Sequence, residues 1–413
     1  MNVLIIGSGG REHAIADAFS RSKIVSSIRV SPGNAGIARE FNCLDLDTDD
    51  KILAYCQSEA IDLVFIGPEQ PIAAGLSDLL RGRGIKVFAP SQAAARLETS
   101  KAFAKELMTR YSVPTARYKM IHAPEEIEDV LQDFAFPVVL KADGLAAGKG
   151  VVIASSYSEA TTVCRDLLSQ KSGSKGVLAE EYLKGWEVSL FAITDGKDYQ
   201  TTLFAQDHKQ LCDHDLGPNT GGMGAYCPVY EAEAYRGAIE RDILEPVLAA
   251  MREEGCPYTG VLYMGLMITM EGPKVIEFNC RFGDPETQAL LPLLLTDFAE
   301  VCRAVTDHEV AKLSLLWEDQ VCLAVVLAAE GYPGSYVKGI KLDLPDLHSR
   351  PYFAGVASKN DSLVSSGGRV MALVAKASDL ATARALVYHD VDSMPGKELI
   401  CRRDIGLREN TLR

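Results

Sequence analysis

The sequence predicts an α/β protein that begins with a parallel sheet and continues as mixed α+β structure. Short β-branched runs alternate with helical patterns up to about Arg96, and this alternation is typical of a parallel sheet covered by helices. The runs are residues 3–6, 27–30, 61–66 and 85–88. Hairpin-like strands follow at 138–141 and 151–154 and around Gly272 and Pro273. A third region has strands at 321–329 and 369–375 and a helix at 380–388.

The length of 413 residues indicates roughly three domains. The changes of pattern along the chain place them at residues 1–97, 98–313 and 314–413. With 47% hydrophobic and 24% charged residues, the chain is expected to fold around buried cores.

Charge and composition exclude several classes of function. A net charge of −14 argues against a protein that coats nucleic acid, because phosphate binding needs a surplus of Lys and Arg. No apolar run approaches the length of a membrane span, and the chain opens directly into an apolar strand without an export signal. Ten cysteines contain no C-x-x-C pair and are expected to be reduced. We therefore expect a cytoplasmic protein with no nucleic-acid or membrane partner.

The first motif is a glycine loop, residues 7–10, between a strand and a helix. Such a loop lets the backbone approach an anion at the start of the helix. A dinucleotide fingerprint would need a glycine where the chain has Glu12, and an acidic residue after the second strand, so NAD is disfavoured. A phosphate monoester fits better, with residues 33–36 as a second loop. A tight turn without a ligand remains the alternative.

The second motif is a strand pair joined by a loop rich in glycine and lysine, residues 137–153, which is suited to fold over polyphosphate. Its glycine spacing and Gly150 after Lys149 exclude a P-loop. Lys141 ends a buried strand, where an unpaired ammonium is costly, so we expect a phosphate partner. Lys149 alone would more often be a solvated loop residue.

Residues 177–187 form the third motif, an edge strand and turn that can offer backbone groups to adenine and a later carboxylate to ribose. An acidic surface segment is the alternative. Glu69 follows the third strand on the side where parallel sheets bind ligands, although alone it reads as a solvated loop residue. Asp207 could meet an ammonium and Lys209 an anion, beside a glycine-rich loop at 217–226 that could be only a loop.

Residues 274–286 give the strongest local argument. Alternation along a strand puts Glu277, Asn279 and Arg281 on one face, with Ile276, Phe278 and Cys280 on the buried face. Two oxygen donors suit magnesium that also holds phosphate oxygens, and the guanidinium can neutralise a transferring phosphoryl group. A half-exposed strand with a salt bridge is the alternative.

These motifs together resemble the phosphoribosylamine-glycine ligase family, also called glycinamide ribonucleotide synthetases, within the ATP-grasp superfamily. The resemblance covers nearly the whole chain, and residues 281–286, Arg-Phe-Gly-Asp-Pro-Glu, are highly specific to the family. It implies an N-terminal Rossmann-like sheet, an ATP-grasp domain with a mobile lid at about 120–187, and a small C-terminal mixed β/α domain.

The resemblance also implies a reaction and its ligands. Glycine would be joined to 5-phosphoribosylamine with cleavage of ATP to ADP and phosphate, through glycyl phosphate, in the second step of purine synthesis. The cofactors would be ATP and Mg²⁺ or Mn²⁺, and a monomer is expected.

Residue roles are carried over motif by motif. The catalytic candidates are Arg281, Lys141 and Asp284. The ATP-binding candidates are Lys101, Lys141, Gly144, Gly148, Lys149, Gly150, Glu180, Tyr182, Leu183 and Glu187. The metal candidates are Glu277 and Asn279. The substrate-binding candidates are Gly9, Gly10, Arg11, Asn34, Glu69, Asp207, Lys209, Asn219, Thr220 and Gly221.

Three alternatives remain. A carboxylase of the purine or biotin pathway would require bicarbonate. A nicotinamide oxidoreductase is disfavoured by Glu12, and an ATP-binding regulatory protein by the group formed by Glu277, Asn279 and Arg281.

Overall fold

The N-terminal part is a parallel sheet in the order β3-β2-β1-β4-β5, flanked by helices. The computed structural model describes residues 1–145, 150–169, 176–394 and 398–407. The central strands β1 and β4 are apolar and almost fully buried, because helices cover the sheet. The elements are β1 (Asn2–Gly7), α1 (Gly10–Ser20), β2 (Ser27–Pro32), β3 (Asn42–Cys43), α2 (Asp49–Ser58), β4 (Leu63–Ile66), α3 (Glu69–Ala74), α4 (Leu76–Arg81) and β5 (Lys86–Phe88).

A small antiparallel sheet with its own apolar core follows, in the order β6-β9-β7-β8. It contains the predicted strand pair at 138–141 and 151–154, which is confirmed. The elements are α5 (Arg96–Thr99), α6 (Lys101–Arg110), β6 (Tyr118–Ile121), α7 (Ile127–Leu131), β7 (Val138–Ala142), β8 (Val151–Ala154), α8 (Tyr157–Ser169) and β9 (Val177–Glu181).

The central antiparallel sheet runs β11-β10-β16-β17 and carries the residues of the strongest sequence motif on β17. The first two strands of this sheet in the chain are β10 (Trp186–Asp195) and β11 (Tyr199–Thr201). The next four strands belong to other sheets and are β12 (Gln206–Asp207), β13 (Gln210–Cys212), β14 (Leu216–Asn219) and β15 (Gly224–Cys227). A helix interrupted by a π-helical turn at Glu240–Leu244 precedes the last two strands. The remaining elements are α9 (Arg236–Ile239), α10 (Glu245–Glu253), β16 (Thr259–Thr269), β17 (Gly272–Asn279), α11 (Glu286–Leu290) and α12 (Phe298–Thr306).

The C-terminal sheet takes strands from the middle of the chain, in the order β12-β15-β18-β22-β19, with β23 also paired to β18. This pairing brings the loop that follows Asp207 against the C-terminal region. The elements are β18 (Val321–Ala329), β19 (Arg350–Phe353), β20 (Val356–Lys359), β21 (Ser362–Ser365), β22 (Arg369–Ala377), α13 (Leu380–Ser393) and β23 (Leu399–Ile400). None of the helices in the described residues is long and apolar enough to cross a lipid bilayer.

Candidate active site

A cleft of about 540 Å³ lies where the N-terminal sheet, the small antiparallel sheet, β17 and β22 meet. Carboxylates and cations from all four parts of the chain line it, and apolar side chains close one end. The fold therefore converges on one site although its residues are far apart in sequence.

The wall formed by β17 carries Glu277, Asn279 and, just beyond the strand, Arg281, and all three line the cleft as predicted from alternation. The prediction was wrong for Ile276, which is only half-buried and also lines the cleft, whereas Phe278 borders the cleft but is buried as predicted. The ladder with β16 pairs Gly265 with Glu277 but Leu266 with Val275, so Ile276 is the extra residue of a β-bulge. A bulge breaks strict alternation at one position and leaves the residues beyond it in phase.

Glu277 is a carboxylate surrounded by cations. Burial opposes its ionisation, but Lys209, Lys141, Lys101 and Arg281 together hold the pKa of Glu277 below its ordinary value. It is therefore charged at neutral pH. An anionic oxygen beside the amide of Asn279 is a donor set that fits a hard divalent cation such as Mg²⁺.

Two carboxylates fix the guanidinium of Arg281. Its Nε lies 3.2 Å from Glu69 Oε2 and its Nη2 lies 3.3 Å from Glu98 Oε1. Glu98 also accepts a hydrogen bond of 2.6 Å from the backbone N–H of Cys280, which anchors the end of β17. Although burial alone would lower it, these two acids raise the pKa of Arg281. Glu69 is thus an ion-pair partner in the cleft, not a solvated loop residue.

Opposite β17, three lysines converge on the cleft. Lys141 Nζ lies 3.1 Å from Glu180 and donates to the carbonyl of Ile276 at 3.2 Å, so the premise that its ammonium lacks a protein partner was wrong. Lys105 Nζ lies 3.4 Å from Glu180 as well, and burial lowers the pKa of Lys105 to about 8. Lys101 Nζ donates to the carbonyl of Gly144 at 2.8 Å, and burial lowers its pKa too. One carboxylate therefore pairs with two buried ammonium groups, and Glu277 adds a further negative charge near Lys141 and Lys101.

One end of the cleft is apolar and bordered by backbone. Tyr182 and Leu183 line it directly after β9. The prediction of an edge strand was wrong, because β9 lies between β6 and β7 and is paired with both. The apolar side chains around it include Met108, Val139, Ile153, Leu178 and Met267. A flat aromatic base fits such a pocket, where backbone groups of a strand end can meet its polar edge.

Glu187 and Lys209 bridge this end to the wall formed by β17. Lys209 Nζ lies 3.0 Å from Glu187 Oε2 and 3.9 Å from Glu277 Oε1. Although burial alone would lower it, Glu187 and Asp207 raise the pKa of Lys209 well above its ordinary value. Burial raises the pKa of Asp207 to about 8, against the opposing charge of Lys209. Thr220 donates from both its N–H and its hydroxyl to the carbonyl of Lys209, at 2.8 Å each, which orders this loop.

Arg369 of β22 connects the C-terminal sheet to the cleft. Its Nη1 donates to the carbonyls of Gly221, Gly222 and Asp284 and lies 3.4 Å from Asp284 Oδ1. Asp284 also accepts from Gln288 Nε2 at 2.8 Å. Burial opposes the ionisation of Asp284, but Arg369 and Arg11 hold its pKa below the ordinary value. Arg369 therefore fixes two loops that border the cleft.

The glycine loop at the start of α1 encloses a side chain of its own chain. Glu12 is 2% exposed and accepts from Gly9 N–H and from Arg11 Nε, each at 2.6 Å. A Cβ at Gly7 or Gly67 would lie 2.4 or 2.1 Å from atoms of Glu12, so these glycines make room for a carboxylate. The space that a dinucleotide would approach is filled, which explains in physical terms why Glu12 disfavours NAD.

Comparison with known proteins places the whole chain in one family. Family models match residues 1–98, 99–287 and 322–408, and they describe the N domain, the ATP-grasp (A) domain and the C domain of phosphoribosylglycinamide synthetase. The chain belongs to the phosphoribosylglycinamide synthetase family. A phosphoribosylamine–glycine ligase of Caldanaerobacter subterraneus is 42% identical over 98% of this chain and 99% of its own length.

Solved structures agree with this family assignment. A phosphoribosylamine–glycine ligase of Thermotoga maritima has a TM-score of 0.87 at 34% identity, covering 98% of this chain and 100% of its own. The biotin carboxylase domain of a Hydrogenobacter thermophilus 2-oxoglutarate carboxylase, solved with MgADP and bicarbonate, has a TM-score of 0.73 at 16% identity over 97% and 91% of the two chains. The second likeness shows the shared ATP-grasp fold alone.

The structure of this synthetase family member brings most of the predicted site residues to one cleft. Those that line it are Arg11, Glu69, Lys101, Lys141, Gly144, Gly150, Glu180, Tyr182, Leu183, Glu187, Asp207, Lys209, Asn219, Thr220, Gly221, Glu277, Asn279, Arg281 and Asp284. Gly148 and Lys149 lie outside the described residues.

Three predicted substrate residues are not among the lining residues of the cleft. Asn34 donates to the carbonyls of Ser8 and Phe353 and accepts from the N–H groups of Gly36 and Ile37, so its side chain orders its own loop. The N–H of Gly9 is bonded to Glu12. A Cβ at Gly10 would lie 2.9 Å from Gln288 Nε2.

Sequence reasoning missed five charged residues of the synthetase cleft. They are Glu98, Lys105, Glu286 and Arg369, and Glu181, beside the predicted Glu180, is a fifth. Glu98 and Lys105 flank Lys101 at helical spacing, which could have suggested a common face. Glu286 lies in the family-specific segment and accepts from Ser189 Oγ at 3.1 Å. For Arg369, an ordinary strand residue in sequence, no local signal was present.

Proposed function

We propose that this chain catalyses the ATP-dependent ligation of glycine to 5-phosphoribosylamine, giving glycinamide ribonucleotide, ADP and phosphate, as in the second step of purine synthesis. The observation that carries the proposal is the arrangement of Glu277, Asn279 and Arg281 across one cleft from Lys101 and Lys141. The family match over the full length supports the choice of substrates.

The chemistry proceeds in two steps. A carboxylate oxygen of glycine attacks the γ-phosphorus of ATP, and the bond from that phosphorus to the oxygen of ADP breaks. The product is glycyl phosphate. The amine of phosphoribosylamine then attacks the acyl carbon, the carbon–oxygen bond to phosphate breaks, and the nitrogen loses a proton.

The nucleotide would lie between the two walls of the cleft. Adenine fits the apolar end beside Tyr182 and Leu183, and Glu187 would accept hydrogen bonds from the ribose. The triphosphate would lie along the lysines, with Gly144, Gly150 and the loop that includes Gly148 and Lys149 over it. Displacing the Glu180 pairing is unnecessary, because Lys101 Nζ donates to the carbonyl of Gly144 and retains donor capacity for phosphate oxygens.

Glu277 and Asn279 would hold Mg²⁺ or Mn²⁺, because a charged carboxylate and an amide oxygen are hard donors. The ion supplies neutralisation of phosphate charge when it is bound. Arg281, held by Glu69 and Glu98, is oriented to stabilise the transferring phosphoryl group without a reorganisation cost. Lys141 and Asp284 are the other proposed catalytic residues.

The small substrates would occupy the side of the cleft nearest to the C-terminal sheet. Asp207, Lys209 and the loop of Asn219, Thr220 and Gly221 would border glycine. The sugar phosphate would lie near Arg11 and Glu69, with the backbone of Gly9, Gly10 and Asn34 at its margin. Because those three line no part of the cleft, their proposed role is the least direct.

We also propose a separate role for each of the three domains. Residues 1–97 would hold the sugar phosphate, residues 98–313 would bind ATP with a lid at about 120–187, and residues 314–413 would close the substrate side. The protein would act as a monomer in the cytoplasm. All ten cysteines are free thiols, which suits a reducing compartment.

ADP release with each substrate omitted in turn tests the proposal. We expect turnover to require ATP, a divalent cation, glycine and phosphoribosylamine together. Replacing glycine by bicarbonate tests the carboxylase alternative in the same assay. Turnover that ignores glycine, or that bicarbonate restores, would contradict the proposal.

A further inference from the structure

A separate group of metal-binding side chains lies in the C-terminal region. One ring nitrogen each of His348 and His389 and a carboxylate oxygen of Asp390 lie within 4.8 Å of one another. His389 and Asp390 are on α13, whereas His348 precedes β19. None of the three lines the nucleotide cleft.

The carboxylate of this group is already held in place and has spare capacity. Asp390 is 1% exposed, and its Oδ2 accepts from the N–H of Ser349 at 2.6 Å and from the Ser349 hydroxyl at 2.5 Å. Its Oδ1 is also enclosed but has no hydrogen-bond partner among the described residues. A buried carboxylate oxygen without a partner is costly, and a bound cation would remove that cost.

We propose that His348, His389 and Asp390 bind a divalent transition-metal ion of the Zn²⁺ class. Two imidazoles and a carboxylate are typical donors for such an ion, whereas Mg²⁺ prefers oxygen donors alone. Zn²⁺ bonds of about 2.0–2.2 Å require ligand atoms roughly 3.4 Å apart, so the group must contract by about 1.4 Å at most. Both histidines are exposed and their ring centroids lie 5.4 Å apart, while Ser349 orients the carboxylate as outer-shell groups do in metal sites.

The bound ion would join α13 to the segment that enters β19. Two residues beyond His348, Arg350 lies 3.3 Å from Asp17 on α1 and contacts Glu40. The site is therefore close to the contact between the C-terminal and N-terminal sheets. We expect the ion to stabilise this contact and to leave the nucleotide cleft unchanged.

Titration calorimetry with Zn²⁺ on the full-length, untagged and metal-stripped chain tests the proposal. Excess Mg²⁺ occupies the carboxylate and amide donors of the cleft, and a non-thiol reductant keeps the cysteines reduced. We expect one saturable site, weakened about 10-fold or more in His348→Ala and in His389→Ala. His122→Ala is the matched control because His122 is exposed but distant in sequence from the group, and it should bind as the unaltered chain does.

Co²⁺ provides an independent readout. Its visible absorption should show four- or five-coordinate cobalt in the unaltered chain and should be lost in both histidine variants. Asp390→Ala removes the partner of Ser349 and can fail to fold, so the histidine variants decide the outcome. Absence of a saturable Zn²⁺ site, or binding that is unchanged in both variants, would overturn the proposal.

Discussion

Replacing Glu12 by glutamine tests whether the glycine loop is built around this carboxylate. Glu12 accepts from the N–H of Gly9 and from Nε of Arg11, each at 2.6 Å. Glutamine keeps one acceptor oxygen but turns an N–H₂ group toward the other donor. A hydrogen bond to a charged group contributes about 1.5–3 kcal/mol, and a carboxylate at a helix N-terminus contributes about 0.3–1 kcal/mol. The expected loss for Glu12→Gln is therefore about 2–4 kcal/mol in the local opening free energy of β1 and α1.

Hydrogen–deuterium exchange measures this loss where it occurs. A loss of about 2 kcal/mol corresponds to roughly 30-fold faster exchange when opening is at equilibrium. Amides of β1 and α1 should therefore exchange at least about 30-fold faster in Glu12→Gln, whereas those of the small antiparallel sheet should not change. A global melt is less suitable, because a chain with several folded units need not unfold in one step.

Glu159→Gln is the matched control. Glu159 accepts from the N–H of Ser155 at 2.8 Å near the start of α8, but the contact is exposed. Water replaces a lost exposed partner, so exchange in α8 should change little. If the β1 and α1 amides of Glu12→Gln exchange within about threefold of the unaltered chain, the loop does not depend on this carboxylate and the reasoning fails.

Three further predictions concern the cleft. Glu277→Gln should lower kcat/KM by about 100-fold or more, because it removes the charged metal donor. The far-UV circular dichroism spectrum should be unchanged, and near-normal activity would refute the metal role. Arg369→Lys should lower kcat/KM by about 10- to 100-fold, because an ammonium cannot reproduce a guanidinium that donates to three carbonyls. Unchanged kinetics would show that the loops of Gly221 and Asp284 keep their positions without this guanidinium. The pKa of Asp207 is about 8 in the folded protein and about 3.9 in an unfolded chain. Between about pH 4 and about pH 8 the folded state therefore binds more protons than the unfolded chain, so the free energy of unfolding falls as pH rises through this range. Asp207→Asn should reduce the difference between denaturation midpoints measured at about pH 5 and about pH 8, and an equal difference in both proteins would contradict this.

Local pattern was sufficient for the strands named at 3–6, 27–30, 138–141 and 151–154 and for one wall of the site. The runs at 3–6 and 27–30 appear as β1 and β2, because β-branched runs between helical segments have few other stable arrangements. Alternation placed Glu277, Asn279 and Arg281 correctly, since all three lie beyond the bulge. The same rule failed at Ile276, because no feature of the local sequence marks the register shift.

What the sequence could not provide was pairing between distant side chains. Glu180 is 39 residues from Lys141, and Glu69 is 212 residues from Arg281. Periodicity reports only which face a residue occupies, so a lysine at the end of a strand looked unpaired. Burying a charge requires a partner. Lys141 was assigned to phosphate from its burial alone, but the structure already pairs it with the carboxylate of Glu180.

That pairing changes how the proposed site should work. Lys141 and Lys105 share Glu180, and burial lowers the pKa of Lys105 although Glu180 opposes that shift. Triphosphate would bring further negative charge and favour the protonated form of Lys105. We therefore expect proton uptake on ATP binding at about pH 8, because burial lowers the pKa of Lys105 to about 8. The buried carboxylate thus holds Lys141 and Lys105 in place before the ligand arrives.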